Sequence, residues 1–360
     1  MRRIFISDCE GPISKNDNAF EITKNFIPKG DSFFALISKY DDVLADILKK
    51  PGYNAGNTLK LILPFLIAYD VTDKQIEDFS AQNLLLITDS KLTLSFIQKL
   101  VPAFIVSTSY EQYIRELCKA IDFPFENTYS TRLSIDKYQI TQKEKQKLKQ
   151  ITKEILELSP IELPLSAKNI NDLSIDTLKT INRLDKIFWK EISNMQLSLI
   201  FSDVKPIGGY QKAEAIRDVI KHLNSSIENV IYFGDSITDV EALNLVSEKG
   251  GLAISFNGNH YAVKNSEVAV MSNNNLVIAI ITDSFCKFGK KKTIQLLKNW
   301  SVTKLQKSGL DESLLSIFLT NYQKKLPNVQ LVTSKNMDLL VDESNAFRHS
   351  VRGEAVGGLG

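Results

Sequence analysis

Asp8 and Glu10 lie two positions apart in "RRIFISDCEGPIS", residues 2–14, where an apolar run gives way to Gly and Pro. Ile4, Phe5 and Ile6 predict a buried parallel strand, and Gly11-Pro12 ends it, so both acids fall at the strand's carboxyl end. That is where open α/β sheets bind ligands. Side chains alternate along a strand, which puts Asp8 and Glu10 on one side and Cys9 on the other. Two carboxylates on one side repel unless a proton or a cation lies between them. A second acidic stretch, "VIYFGDSITDVEAL", again delivers carboxylates from an apolar strand: Asp235 follows Gly234, which permits a tight turn, and Asp239 stands at a helix start. Alone, Asp235 reads as a turn residue and Asp239 as a helix N-terminal acid. Together with Asp8 and Glu10 they can converge on a hard cation. Mg²⁺ prefers one or two carboxylates, retained waters and a phosphate oxygen of a substrate, so the outline is that of a phosphoryl-transfer site.

The elements that position these acids alternate between strand and helix. "VPAFIVSTS" predicts a buried strand and "YEQYIRELCKAI" a helix with apolar Tyr113, Ile114, Leu117, Ala120 and Ile121 on one face. "YQKAEAIRDVIKHL" is helical, and "GLAISFNGNHYAV" is a further strand and loop. This alternation predicts an α/β fold, with residues 1–15, 82–136 and 200–290 as the core. Residues 16–81 read as a helical cap interrupted by the loop "KKPGYNAGNT", and 137–199 as a second insertion that opens with the lysine-rich helix "TQKEKQKLKQITKEILEL". Residues 291–360 read as a helical extension ending in a flexible tail, "RHSVRGEAVGGLG", with too few large apolar side chains to bury itself. Such a tail is ordered only by a partner or by docking on the core.

At 360 residues the chain exceeds a usual single core, and 43% hydrophobic with 24% charged residues is a globular composition. A net charge of +2 gives no global field for nucleic acid or anionic lipid, and no aromatic platform accompanies the lysines of 142–153. The apolar windows "LKLILPFLIAYDV" and "NNNLVIAIITDSF" fall short of the ~20 residues that cross a bilayer and read as core, so no direct membrane insertion is expected. Cys9, Cys118 and Cys286 are odd in number and form no C-x-x-C, which suggests neither disulfides nor a metal–sulfur site and fits a reducing cytoplasm.

Four pieces in order, "FISDCEG", "AFIVSTS", "GGYQKAEAI" and "FGDSITD", resemble the haloacid dehalogenase-like (HAD) superfamily. The resemblance implies a Rossmannoid α/β core with a parallel sheet and inserted, mostly helical caps. It implies Asp8 as nucleophile and Glu10 as general acid and base. Ser107 would hold a phosphoryl oxygen, Lys212 would steady the phosphate, and Asp235 and Asp239 would be the metal-side acids. The Glu10 carbonyl would join Asp8 and Asp235 at Mg²⁺. Thr108 and Ser109 neighbour Ser107 and either could be the phosphate ligand. Lys205 is the alternative to Lys212, which is preferred because it begins a helix. Asn257 and Asn259 in "FNGNHY" could reach the cleft or serve a turn. Two departures stand out. Glu10 is longer than the family's usual Asp by one C–C bond, about 1.5 Å, so its carboxylate must fold back or meet a differently placed leaving group. Pro12 stands where Thr is common.

"DCEGPIS", "STSYEQYIRELC", "VKPIGGYQKAEAI" and "FNGN" are more narrowly similar to a HAD-like group labelled subunit R of an energy-converting hydrogenase A, which implies association with a hydrogenase complex. Two functions follow as expectations. One is a Mg²⁺-dependent phosphatase or phosphotransferase acting on a small phosphorylated metabolite. The other is an accessory or regulatory subunit that kept the fold for binding.

Overall fold

The computed structural model describes residues 3–164, 167–322 and 325–359. One seven-stranded sheet runs in the order β3-β2-β1-β4-β5-β6-β7. The strands are β1 Ile4–Ser7, β2 Ala103–Tyr110, β3 Thr128–Thr131, β4 Val230–Gly234, β5 Leu252–Phe256, β6 Val268–Met271 and β7 Asn328–Leu331. β1 to β6 pair in parallel and β7 is antiparallel to β6.

Helices cover both faces, so the central strands are apolar on both sides. Phe5, Ile105, Ile231, Phe233, Ile254 and Val270 pack under helices Ser90–Leu100, Glu111–Ile121 and Leu276–Lys298. Their strand neighbours Ile4, Ile6, Phe104, Val106, Tyr232 and Ala253 pack under Tyr210–His222 and Val240–Glu248. Cys9 lies in the first of these cores, on the side away from Asp8, as the alternation requires. Among the described residues no helix is long and apolar enough to cross a membrane.

The two insertions form one body. Phe20, Phe33, Tyr40 and Phe65 from the first share a single apolar core with Leu148, Ile155, Leu184 and Phe188 from the second. Phe188 sits at the join, stacked on Tyr40 with centroids 5.8 Å apart and edge-on to Phe65 at 6.1 Å. Tyr40 hydroxyl donates to Asp185 at 2.5 Å and accepts from Trp189 Nε1 at 2.8 Å. The two helical stretches thus share one core rather than each closing its own.

The C-terminal extension differs from the expectation of helices and a flexible tail. It contributes β7 to the sheet edge, and Met337–Gly357 is an ordered helix broken at Gly353. Leu340 and Val341 pack on Val263, Ala269 and Met271, and Val356 and Leu359 join the cap core. The tail is ordered by docking on the rest of the chain.

Because one core unites the insertions, Phe188→Ala should cost ~3–5 kcal/mol as a buried aromatic truncation. Hydrogen exchange should then show residues 16–81 and 137–199 losing protection together. Loss confined to 137–199 would mean two separate modules.

Candidate active site

Lys212, in the first turn of Tyr210–His222, is fully buried. Its ammonium donates to Asp8 Oδ2 at 2.6 Å and to Asp239 Oδ1 at 2.8 Å. Burial alone would lower its pKa, but Asp239 and Asp8 outweigh it and raise it, so the charge stays. Asp239 is fully engaged: Oδ1 also accepts from the Tyr232 hydroxyl at 2.6 Å, and Oδ2 accepts from the N–H groups of Asp235 and Ser236 at 3.0 and 3.1 Å. Burial works against its ionised form, yet Lys212 and these donors hold its pKa below the usual value. Asp239 thus shapes the turn after β4 and orients Lys212.

Asp8 follows β1 and is tied to β4 through its N–H on the Phe233 carbonyl at 2.8 Å. Its Oδ1 accepts from Cys9 N–H at 2.6 Å. Burial pushes Asp8 up to about 8, with Lys212 opposing and Asp239 and Asp235 adding. Glu10 absorbs its extra length by turning toward the cap, where Oε1 accepts from the N–H of Asn18 at 2.7 Å, the first residue of helix Asn18–Phe26. Burial, reinforced by Asp17, pushes Glu10 well above the carboxylate range. Asp8 and Glu10 line one cavity of about 90 Å³ with Asp17, Asp41, Asp42, Thr108 and Asp235.

Two residues that sequence reasoning missed close this cavity. Arg348 and Arg352, one turn apart on the C-terminal helix, both pair with Asp235 Oδ2, Arg352 at 3.0 Å. Arg348 is buried and also donates to the Asp235 carbonyl at 3.2 Å. Arg352 Nε donates to the Lys15 carbonyl at 3.0 Å. The available signal was the i, i+4 spacing of two arginines beside an otherwise apolar-poor stretch.

The other sequence candidates are placed as follows. Lys205 is exposed, which leaves Lys212 as the lysine at Asp8. Ser107 is buried and accepts from the Ser109 N–H at 3.2 Å, while Thr108 lines the cavity and donates to the Ile207 carbonyl at 3.0 Å. Asn257 is not brought to the cavity: with φ 48 it makes a turn, its Nδ2 donates to the Ser272 carbonyl at 2.7 Å and its Oδ1 accepts from the Ser272 N–H at 2.9 Å. Both ends of the side chain tie this turn to Ser272 after β6, and Asn257 is not among the residues lining the cavity at Asp8.

Asp8, Asp235 and Asp239 each place one oxygen within 4.8 Å of the others. The Glu10 carbonyl accepts no hydrogen bond among the described residues. Hard oxygen donors at this spacing fit Mg²⁺; Asp239 is already satisfied by its donors, Asp8 is met by Lys212 and Cys9, and Asp235 Oδ2 is held by Arg348 and Arg352. Gly11 is required beside them. It adopts φ 98, and a Cβ there would meet Asp235 Oδ2 at 2.2 Å.

The sequence profile of the haloacid dehalogenase-like hydrolases matches residues 103–284, about half of the chain. Those residues carry Thr108, Lys212, Asp235 and Asp239; Asp8 and Glu10 precede them. No curated protein matches the chain. Among solved structures, the chain is similar in fold to gene product AF1437 from Archaeoglobus fulgidus, with TM-score 0.81 and 24% identity over 100% of this chain and 99% of that one. A phosphoserine phosphatase structure described as a phospho-aspartyl intermediate analogue gives TM-score 0.47 and 12% identity over 77% and 97% of the two chains. An apo phosphoserine phosphatase gives 0.43 and 11% over 77% and 98%.

Removing Lys212 leaves two buried carboxylates uncompensated. Lys212→Met should therefore lower stability by ~3–5 kcal/mol in urea denaturation. A change under ~1 kcal/mol would show that Asp8 and Asp239 do not depend on it.

Proposed function

The chain belongs to the haloacid dehalogenase-like hydrolase family, and from that premise we propose that it is a Mg²⁺-dependent phosphoric monoester hydrolase or phosphotransferase acting on a small phosphorylated metabolite through Asp8. The observation that carries this reading is the Lys212 ammonium held between Asp8 and Asp239 at the adjoining ends of β1 and β4. A purely structural ion pair needs no cavity, whereas Asp8, its member at the end of β1, lines a cavity together with Glu10 and Thr108.

Lys212 offsets charge on the nonbridging phosphoryl oxygens and holds the Asp8 carboxylate in place for in-line attack. The Asp8 oxygen forms a bond to phosphorus as the ester P–O bond breaks. Glu10 gives its proton to the departing alkoxide, and its raised pKa keeps that proton available at neutral pH. Glu10 then accepts a proton from water as the water oxygen attacks phosphorus, the aspartyl bond breaks and Asp8 is regenerated. Thr108, which lines the cavity, would position a phosphoryl oxygen once its hydroxyl turns from the Ile207 carbonyl. Asp8, Asp235 and the Glu10 carbonyl would hold Mg²⁺, which would supply positive charge favouring ionised Asp8 and offsetting charge on the transferring group.

A second reading, a subunit that keeps the fold for binding within a hydrogenase complex, is favoured by one observation: Arg348 and Arg352 hold Asp235 in ion pairs. The test is phosphate release from a panel of phosphorylated metabolites with Mg²⁺, together with trapping of a hydroxylamine-sensitive phosphoenzyme. Wild type should release phosphate. Asp8→Asn should remove both signals, and Glu10→Gln should slow turnover ~10²–10⁴-fold. A wild type that forms no phosphoenzyme with any donor would favour the binding reading.

A further inference from the structure

The C-terminal segment closes the active site that the preceding reading describes. All three guanidinium nitrogens of Arg348 are engaged: Nε donates to the Gly357 carbonyl at 3.0 Å, Nη2 to the Leu359 carbonyl at 3.3 Å, and Nη1 to Asp235 and the Asn257 carbonyl. Arg352 ties the same carboxylate to the Lys15 and Asn16 carbonyls at the entry to the cap. Between Arg352 and Val356 the helix breaks at Gly353, φ 80, which turns the last residues back so that their carbonyls meet Arg348. A Cβ at Gly353 would meet no atom within 4 Å, so the turn itself, and not a lack of space, requires glycine.

Two further observations give this contact a consequence. The cavity at Asp8 is about 90 Å³, well below the ~300 Å³ at which small-molecule sites begin. Asp42 and Leu359 line both that cavity and a neighbouring one of about 240 Å³, so the chain end stands as a partition between the two. In addition, Asp235 Oδ2, an oxygen of the acidic cluster Asp8, Asp235 and Asp239, is already held by the guanidinium groups of Arg348 and Arg352, so a cation takes that oxygen only if they leave it.

We infer that residues 337–359 form an intramolecular strap that shuts the site: Arg348 and Arg352 take the place of a divalent cation at Asp235, and cation binding expels them and joins the two cavities into one. This rests on the cation-dependent reading of the site. In the shut state the space beside Asp8 is small and split by Leu359, and in the open state the arginines leave Asp235 and the two cavities join.

Hydrogen exchange of the full-length protein with and without Mg²⁺ tests this without any substitution. Mg²⁺ should lower protection across residues 348–359 while raising it around Asp8 and Asp235. Calorimetric titration should show Arg352→Gln binding Mg²⁺ at least about tenfold tighter than wild type, because a larger fraction of the chain is then open. Bound Mg²⁺ with protection of 337–359 unchanged would overturn the strap and leave the cation site standing. Failure of both wild type and a folded Arg352→Gln to bind Mg²⁺ would overturn the strap and the cation-dependent reading together.

Discussion

A buried lysine ammonium is tolerated only where carboxylates meet it closely, since the effective cost of stripping an ion of water is several kcal/mol. Lys212 imposes that condition on two segments far apart in the chain, Asp8 after β1 and Asp239 in the helical turn after β4. The sheet order satisfies it. β1 lies between β2 and β4, so the chain leaves β1 to one side for β2 and later returns to its other side. A crevice opens at the carboxyl ends where connections diverge in this way, and Lys212 enters it from the first turn of its helix. Register pairing of Ser7 with Phe233 brings the two acidic loops level, and the Tyr232 hydroxyl reaches up from the strand to fix Asp239. Remove the ion triplet and the loops after β1 and β4 lose their common anchor.

The parts legible in the sequence are those where local pattern and chemistry agree. Apolar runs ending in Gly and acids marked β1 and β4, and a helix starting near Lys212 separated it from Lys205. Ser107 and Thr108 were harder, because the ladder between β2 and β3 shifts between Val106 and Tyr110 and simple alternation no longer assigns faces there. Asn257 stayed open between cleft and turn for a related reason: Asn is at home both at a ligand and at positive φ, and the Ser272 backbone opposite it favours the turn. The union of the two insertions was hidden as well. Tyr40 and Phe188 are 148 residues apart, and nothing in the periodicity of either helix says which apolar face it meets.

Glu10 shows how a departure from a family pattern is absorbed structurally. The extra methylene carries its carboxylate away from β1 to the N-terminus of Asn18–Phe26, where an unpaired N–H of the first turn and the helix dipole accept it. The acid therefore belongs at once to the loop after β1 and to the first cap helix. Movement of that helix therefore moves the Glu10 carboxyl, which couples the position of the cap to the cavity below it.

The edge strand β7 explains why the chain's end arrives at this site at all. Had it been parallel like its neighbours, it would have ended on the carboxyl side and the following helix would have run away from Asp235. Being antiparallel, it pairs Asn328 with Met271 and Leu331 with Val268, so the chain exits at the amino edge of the sheet. A helix starting there must climb the height of the sheet, about 17 Å for a five-residue strand such as β4. From Met337 to Arg348 a helix rises ~17 Å at 1.5 Å per residue, which brings Arg348 level with Asp235. Leu340 and Val341 hold the climb against β6 and Val263, and the next turn adds Arg352 on the same face. The direction of one short strand and the length of one helix thus set two guanidinium groups at the acid that a cation also needs, and Gly353 stops the helix just beyond them.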